Sequence, residues 1–199
     1  TLVFKKSNVL YGFDKAMSAI AKTPNREAIV CEGQIDCIRM HSCGFRNTVA
    51  GQGTAFTAEH VNMLKKVADQ VILVYDDDAA GHKATVKSAR LCLGAELPVR
   101  VVSLPEGDDP DSFLRRHPAE KFKEMLDAAE SIMSFQVRLE RSKERDPDSV
   151  DAVKRTVREV LSTIAACPSA VLRSTMTSEA AKLMKLPESA LLEELSKIK

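Results

Sequence analysis

Short apolar runs that end in Gly, Asp or Pro recur through the first half of the chain. Four of these runs are rich in β-branched residues and predict buried strands, at residues 27–31, 47–50, 71–75 and 99–104. Helical spacing between the runs predicts helices, at residues 34–43, from the capping residue Thr57 onward, and at residues 79–93. Continuously apolar strands that alternate with helices are typical of a parallel sheet covered on both faces. We therefore expect binding sites at the carboxyl ends of the strands.

From Asp111 onward the pattern is helical to the end of the chain. An amphipathic stripe predicts one long helix, with apolar positions at Val150, Val153, Val157, Val160, Leu161 and Ile164. Asp148 or Ser149 is placed to cap that helix, and Leu186-Pro187-Glu188 is typical of a further helix start. The predicted organisation has three parts: a basic leading segment (residues 1–26), an α/β domain (27–112) and a helical subdomain (113–199).

Composition adds little to this picture. The 29 Lys and Arg residues nearly balance 28 Asp and Glu residues, so the net charge of +1 favours neither a nucleic acid nor a membrane partner. The apolar runs are too short for a membrane span. The 5 cysteines form no CxxC pair, which indicates reduced thiols in a cytoplasmic protein, without a zinc site or disulfides. The chain begins with Thr1, and we expect it to be cut from something longer.

Acidic residues follow three of the predicted strands. Glu32 follows the first strand, Asp76 and Asp78 follow the third, and Asp109 and Asp111 follow the fourth. Carboxylates gathered at one sheet edge repel each other and ionise together only when a cation compensates them. Oxygen ligands without Cys or His favour Mg²⁺ or Mn²⁺. Any one of these motifs is typical of a solvated turn, but three in order favour a metal site for phosphoryl chemistry.

Other candidate residues give weaker signals. Gly33 lets the backbone pass close to a metal or phosphate, although a plain turn needs it too. The segment Gly51-Gln52-Gly53-Thr54 offers backbone N–H groups to a phosphate, or is a tight turn. His82 and Lys83 begin a helix beside the acidic cluster, where they meet a phosphate or form a surface pair. The basic residues around Lys6 are a solvated face or a surface that follows phosphates.

Several motifs together resemble bacterial DnaG-type DNA primases and the TOPRIM domain that these share with topoisomerases and some nucleases. The TOPRIM signature is Glu32 after the first strand and Asp76-x-Asp78 after a later one. The motifs closer to primases are Phe4-x-Lys6, Leu10-Tyr11-Gly12-Phe13, Glu32-Gly33-x-x-Asp36, Gly53-Thr54, Tyr75-Asp76-x-Asp78-x-Ala80-Gly81 and Leu104-Pro105-x-Gly107-x-Asp109-Pro110-Asp111. The resemblance covers residues 1–115 well and the helical remainder more loosely. It implies a TOPRIM-type parallel sheet followed by a helical bundle.

The resemblance also implies an activity: synthesis of short RNA primers from nucleoside triphosphates on single-stranded DNA, by nucleotidyl transfer with two or more Mg²⁺ or Mn²⁺ ions. Glu32, Asp76 and Asp78 would be the catalytic metal ligands, with Asp109 and Asp111 extending the set. Lys6 would contact the phosphates of a nucleotide or nucleic acid, and Lys83 is a further candidate for this role. Gly33, Asp36 and Gly53 would be supporting residues of the site. The full-length protein would bind the replicative helicase in a primosome, in the cytoplasm at the nucleoid.

The sequence departs from the family pattern at three positions. Gln34 and Ile35 replace the usual Tyr-Met after the Glu-Gly turn, and Asp77 replaces the usual Gly between Asp76 and Asp78. The family's zinc-binding domain, basic subdomain and helicase-binding domain have no counterpart among these residues. We therefore expect this segment to be weakly active alone.

Three alternatives compete with a primase. A TOPRIM nuclease or maturase would use Glu32, Asp76 and Asp78 to cleave nucleic acid. A phospho-acceptor receiver domain also places acids at strand ends, but no Lys follows the last strand. A binding module with relic acids would have no affinity for divalent ions.

Overall fold

The computed structural model describes residues 5–198. The chain divides into two compact units, Thr1–Glu130 and Ser131–Lys199. Within the described residues, no helix is both long and apolar enough to cross a bilayer. The cysteines are free thiols, and all except the half-buried Cys43 are buried.

The first unit alternates helices and strands, as the sequence predicts. After a 3₁₀ helix (Lys6–Asn8), its elements in chain order are α1 (Phe13–Ile20), β1 (Glu27–Cys31), α2 (Gln34–Ser42), β2 (Thr48–Ala50), α3 (Ala58–Leu64), β3 (Gln70–Val74), α4 (Ala79–Gly94), β4 (Val99–Val101), α5 (Pro110–Arg116) and α6 (Ala119–Asp127). A two-residue strand, β5 (Glu130–Ser131), follows.

The strand order is β2-β1-β3-β4-β5, and β1, β2, β3 and β4 pair in parallel. The chain steps from β1 to β2 in one direction and then crosses to β3 on the other side of β1. Right-handed crossovers therefore place α2 on one face and α3 with α4 on the other. In agreement, α2 packs against α5, and α3 packs against α4. The order reverses between β1 and β3, and a crevice at the carboxyl ends of such strands is where α/β sheets bind ligands.

The strands confirm the apolar pattern, with small shifts in their ends. β1 covers the predicted residues, and Thr57 caps α3 with its side chain as expected. β3 ends at Val74, one residue before the predicted end. The prediction for β4 was wrong in length: the strand ends at Val101, and only the N–H of Val102 still bonds to the neighbouring strand.

A cluster of aromatic rings holds α5 and α6 against the sheet of the first unit. The ring of Phe122 lies 5.0 Å from that of Phe45 and 5.9 Å from that of Phe113. Phe113 and Phe122 are fully buried in a core shared with Ile29 and Ile72 of the sheet. The contacts thus place α5 and α6 with the sheet, whereas we expected a helical part from residue 113. The functional domain boundaries stay a prediction.

The segment before β1 contains a helix that the sequence reading did not predict. α1 buries Ala16 and Ile20 and packs against β1 and β2. The signal was the spacing of Phe13, Ala16 and Ile20 along the chain, which is one helical face. The predicted motif residue Phe4 lies outside the described residues.

The second unit is helical, as expected. Its helices are α7 (Ile132–Ser142), α8 (Val150–Ala165), α9 (Ala170–Met184) and α10 (Glu188–Ser196). Of the two predicted caps for α8, Ser149 is the one used: its hydroxyl accepts from the N–H of Ala152. Asp148 instead forms an ion pair with Arg141.

Replacing Phe122 by Ala tests whether α6 belongs to the core of the sheet. The lost ring leaves a cavity among buried side chains, and the expected cost is about 3–5 kcal/mol in the free energy of unfolding. Denaturant unfolding measures it, with Val171→Ala as control because Val171 is 75% exposed. Similar stabilities of the two variants would contradict the assignment.

Candidate active site

The predicted acidic residues leave the sheet at the point where the strand order reverses. Cys31 of β1 lies opposite Val74 of β3, so Glu32 and Asp76 follow two paired strands. Asp78 caps the helix after β3, and Asp109 caps the helix that follows β4. The structure therefore brings Glu32, Asp76, Asp78 and Asp109 to one edge.

Asp76 lies in the most unfavourable electrostatic position of the group. Its pKa is raised to about 6, most by burial and then by the nearby carboxylates of Glu32, Asp36, Asp109 and Asp78, in that order. Its Oδ1 atom is buried and has no hydrogen-bond partner among the described residues. A buried carboxylate oxygen without a donor, among other carboxylates, is the environment that a cation stabilises.

The turn that carries Asp76 and Asp78 is fixed by a glycine. A Cβ atom at Gly81 would lie 2.1 Å from the carbonyl oxygen of Asp76, so only glycine lets α4 begin this close to the strand end. The N–H of Gly81 donates to Oδ1 of Asp78 at 2.7 Å. This capping bond orients the Asp78 side chain and uses only one of its two carboxylate oxygens.

Asp77, the residue that departs from the family pattern, has partners of its own. Its Oδ1 lies 2.7 Å from Nε2 of His82. Its backbone N–H donates to the carbonyl of Asp108 at 3.1 Å, and its carbonyl accepts from the N–H of Gly107. Asp77 thus joins the β3–α4 turn to the loop after β4, and His82 faces its extra charge.

Asp36 links two loops of the site. It is only 8% exposed, and its carboxylate accepts from the N–H of Gly33 and from the N–H of Asp111, both at 3.2 Å. Burial raises the pKa of Asp36, and the charges of Asp109 and Asp111 add to this effect. Through these two hydrogen bonds, Asp36 holds the loop that contains Glu32 against the start of α5.

Asp111 has a different environment from the other predicted ligands. Ion pairs of 2.8 Å join its two oxygens to Arg39 and Arg115. The hydrogen bond from Arg39 holds the pKa of Asp111 below its usual range. Two guanidinium groups therefore already compensate the charge of Asp111 in this structure.

The sequence reading did not single out three residues that border this site. Asp108 is 8% exposed and pairs with Arg116, and Arg39 pairs with Asp111. The run of acids at Asp108 and Asp109 was the available signal. The pairing of Arg39 with Asp111 could not be found, because it depends on how α2 and α5 pack.

The candidate phosphate-binding residues lie on two different elements of the first unit. Lys6 in the 3₁₀ helix and Lys83 on α4 are both exposed. The carbonyl of Lys6 lies 3.4 Å from Nε2 of His60. Gly53 has a φ of 65°, which suits the tight turn predicted there.

The donor set fits a hard cation, although the side chains do not converge by themselves. Among residues 5–198, no group of three or more His, Cys, Asp or Glu side chains is gathered closely enough to hold an ion. The fit therefore rests on the unpartnered oxygen of Asp76 and on the carboxylates that surround it. Such oxygen donors suit Mg²⁺ or Mn²⁺.

Comparison with known proteins agrees with this geometry. Residues 29–114 match a family described as Toprim-like. The whole chain aligns with a DNA primase of Chlamydia muridarum, at 41% identity over 201 residues that make up 33% of that relative. The chain therefore spans about a third of the length of the curated relatives it matches.

Two solved structures are similar over nearly the whole chain. A primase of Aquifex aeolicus, with its zinc-binding and RNA polymerase domains, matches with a TM-score of 0.79 at 31% identity, over 96% of this chain and 45% of that one. A DnaG primase catalytic domain bound to single-stranded DNA matches with a TM-score of 0.76 at 29% identity, over 92% of this chain and 59% of that one.

The parallel sheet, with acidic residues after β1 and β3, and the family match define a TOPRIM domain within the first unit, at residues 29–114. With the likeness to primases extending through the helical unit, the chain belongs to the bacterial DnaG-type DNA primases. The resemblance drawn from the motifs is confirmed.

Asp76→Asn is expected to stabilise the metal-free chain at pH 8. A carboxyl with a raised pKa costs stability when ionised, so the penalty is absent below about pH 4 and complete above about pH 6. Replacing this carboxyl should raise the free energy of unfolding by about 1 kcal/mol at pH 8, a value discounted for solvent screening. At pH 4 the free energy of unfolding should change very little.

Thermal unfolding in chelator at the two pH values measures this difference. Asp69→Asn is the control, since the Asp69 side chain is 65% exposed and lies in an ion pair with Arg26. An equal change at both pH values would argue against a raised pKa at Asp76.

Proposed function

We propose that this chain carries the divalent-ion site of a primase that makes RNA primers on single-stranded DNA by nucleotidyl transfer. The observation that carries the proposal is Asp76, whose buried oxygen has no donor in the described residues and whose pKa is raised by burial and by surrounding carboxylates. The family of the chain supports the reaction class.

Glu32, Asp76 and Asp78 are the residues proposed to hold two or more Mg²⁺ or Mn²⁺ ions, with Asp109 next to them. When bound, such ions activate the attacking 3′-hydroxyl and neutralise the triphosphate. The chain's own contribution is position: Gly81 sets the turn of Asp76 and Asp78, and Asp36 holds the loop of Glu32. Asp111 is proposed to keep α5 in place through its arginines.

The proposed partners are a single-stranded DNA template, nucleoside triphosphates, the RNA primer and, in the full-length protein, the replicative helicase of the primosome. A primase catalytic domain similar to this chain is bound to single-stranded DNA. Lys6 and Lys83 are exposed cations available to phosphates. A replication protein of this kind would act in the cytoplasm at the nucleoid.

A TOPRIM nuclease is the rival that shares this metal site. The curated relatives that the chain matches are primases, which favours primer synthesis. Incubation of single-stranded DNA with the chain and Mn²⁺ separates the two activities. Cleavage that disappears in Asp76→Asn would support the nuclease instead.

Mn²⁺ binding measured by calorimetry tests the metal site. We expect the wild-type chain to bind Mn²⁺ and the double variant Asp76→Asn, Asp78→Asn to bind at least tenfold more weakly, because both carboxylates are lost. The matched control is Asp146→Asn, Asp148→Asn, a pair of the same spacing in an exposed turn of the second unit.

The control pair should bind Mn²⁺ like the wild type. Equal loss in both double variants would show that general charge, and not a site, attracts the ion. No binding by the wild type would remove the basis of the proposal.

A further inference from the structure

A cavity lies at the edge of the sheet where the parallel strands begin, opposite the edge that carries the acidic residues. Its volume is about 420 Å³, and Glu27 and Ile29 of β1 form part of its wall. The segment after α2, with Cys43 and Phe45, and the helix α6, with Leu126, form further walls. All of these residues belong to the first unit, and the length of β1 separates the cavity from the candidate active site.

The inner walls of this cavity are apolar. Ile29 and Leu126 are core residues that are 1% and 7% exposed. The half-buried ring of Phe45, held at 5.0 Å from that of Phe122, adds an aromatic wall. Small-molecule sites commonly measure about 300–1,000 Å³ and combine apolar walls with a few polar groups, so this cavity suits a small ligand.

Four hydrogen-bond donors of the wall are already used within the protein. The hydroxyl of Thr23 donates to a carbonyl of α1, and the side-chain amide of Asn47 donates to a carbonyl of β1, both at 2.8 Å. The backbone N–H groups of Gly44 and Phe45 donate to carbonyls of α2. A ligand therefore meets acceptors rather than donors on this side of the cavity, so it must itself carry the donors.

Glu27 is the charged acceptor of the wall. Its carboxylate accepts a hydrogen bond from the amide of Gln70, and within residues 5–198 it forms no ion pair. Arg100 lies near it but donates its N–H groups to the carbonyls of Asp127 and Ala129. Burial raises the pKa of Glu27 in spite of this arginine. A cationic donor in the cavity would therefore complete the surroundings of the carboxylate.

We propose that this cavity binds a small organic cation: a primary amine with an apolar body. The ammonium group lies against Glu27, and the body contacts Phe45 and Ile29. Lys123, also in the wall, is paired with Asp127 at 2.7 Å, which lowers its attraction for an anion. The proposal is independent of the metal site and of nucleotidyl transfer.

Cys43 makes occupancy of the cavity measurable. It is half-buried at the wall, whereas the other four cysteines are buried, so the thiol reagent DTNB should label Cys43 first. A bound ligand should slow this labelling, and Cys43→Ser should abolish the fast phase. Benzylamine, benzyl alcohol and benzoate serve as probes, because they share one ring and differ in charge at pH 7.

The probe concentration that halves the labelling rate gives the apparent affinity. We expect benzylamine to bind the wild type about tenfold more tightly than benzyl alcohol, because it bonds to a charged acceptor, and benzoate to bind most weakly. Glu27→Gln keeps the size of the side chain and should reduce the affinity for benzylamine to that for benzyl alcohol. The matched control is Glu59→Gln, at an exposed position of α3 outside the cavity, which should change nothing.

A second variant tests the location without changing a charge. Ala119→Leu narrows the cavity from the start of α6 and should weaken benzylamine and benzyl alcohol alike. Buried cysteines that stay unlabelled show that a variant is folded.

Four results would each overturn the assignment. These are a lack of protection by every probe, equal affinities of the wild type for benzylamine and benzyl alcohol, tighter binding of benzoate, and an affinity for benzylamine that Glu27→Gln leaves unchanged.

Discussion

The register of β1 against β3 is the constraint on which the candidate site depends. Cys31 lies opposite Val74, so the residues after these strands leave the sheet side by side. The strand order reverses between β1 and β3, so the connections that follow these two strands run to opposite faces of the sheet. This leaves a crevice at the carboxyl ends of the two strands. The fold thus exposes a crevice and places acidic residues at it, where burial and the repulsion between carboxylates raise the pKa of Asp76.

Backbone contacts help to hold this unfavourable cluster of carboxylates in place. Gly81 permits the close approach of α4 to Asp76, and Asp36 fastens the loop of Glu32 to the start of α5. Asp108 and Asp111, which border the cluster, form ion pairs with arginines. This division leaves Asp76 uncompensated where a cation is needed and stabilises the surroundings with ordinary ion pairs.

Much of the fold was predictable because its signals are local. Continuous apolar strands, Thr57 and Ser149 as caps, and acids directly after strands are all visible in the sequence. What sequence reading missed depends on packing between distant segments: α6 joins the sheet through Phe122 and Phe45, and Asp111 meets Arg39 only because α5 packs on α2. The roles of the predicted ligands stay a prediction, since carboxylate positions alone do not identify an ion.

The most direct test of the account is the titration of the Asp76 carboxyl carbon by NMR, with its resonance assigned from Asp76→Asn. Without divalent ions, the account predicts a pKa of about 6. With saturating Mg²⁺, the pKa should fall to its ordinary value of 3.8 or below, because the ion stabilises the carboxylate. An ordinary pKa without ions, or a raised pKa that Mg²⁺ leaves unchanged, would contradict the claim that this edge is built to hold a cation.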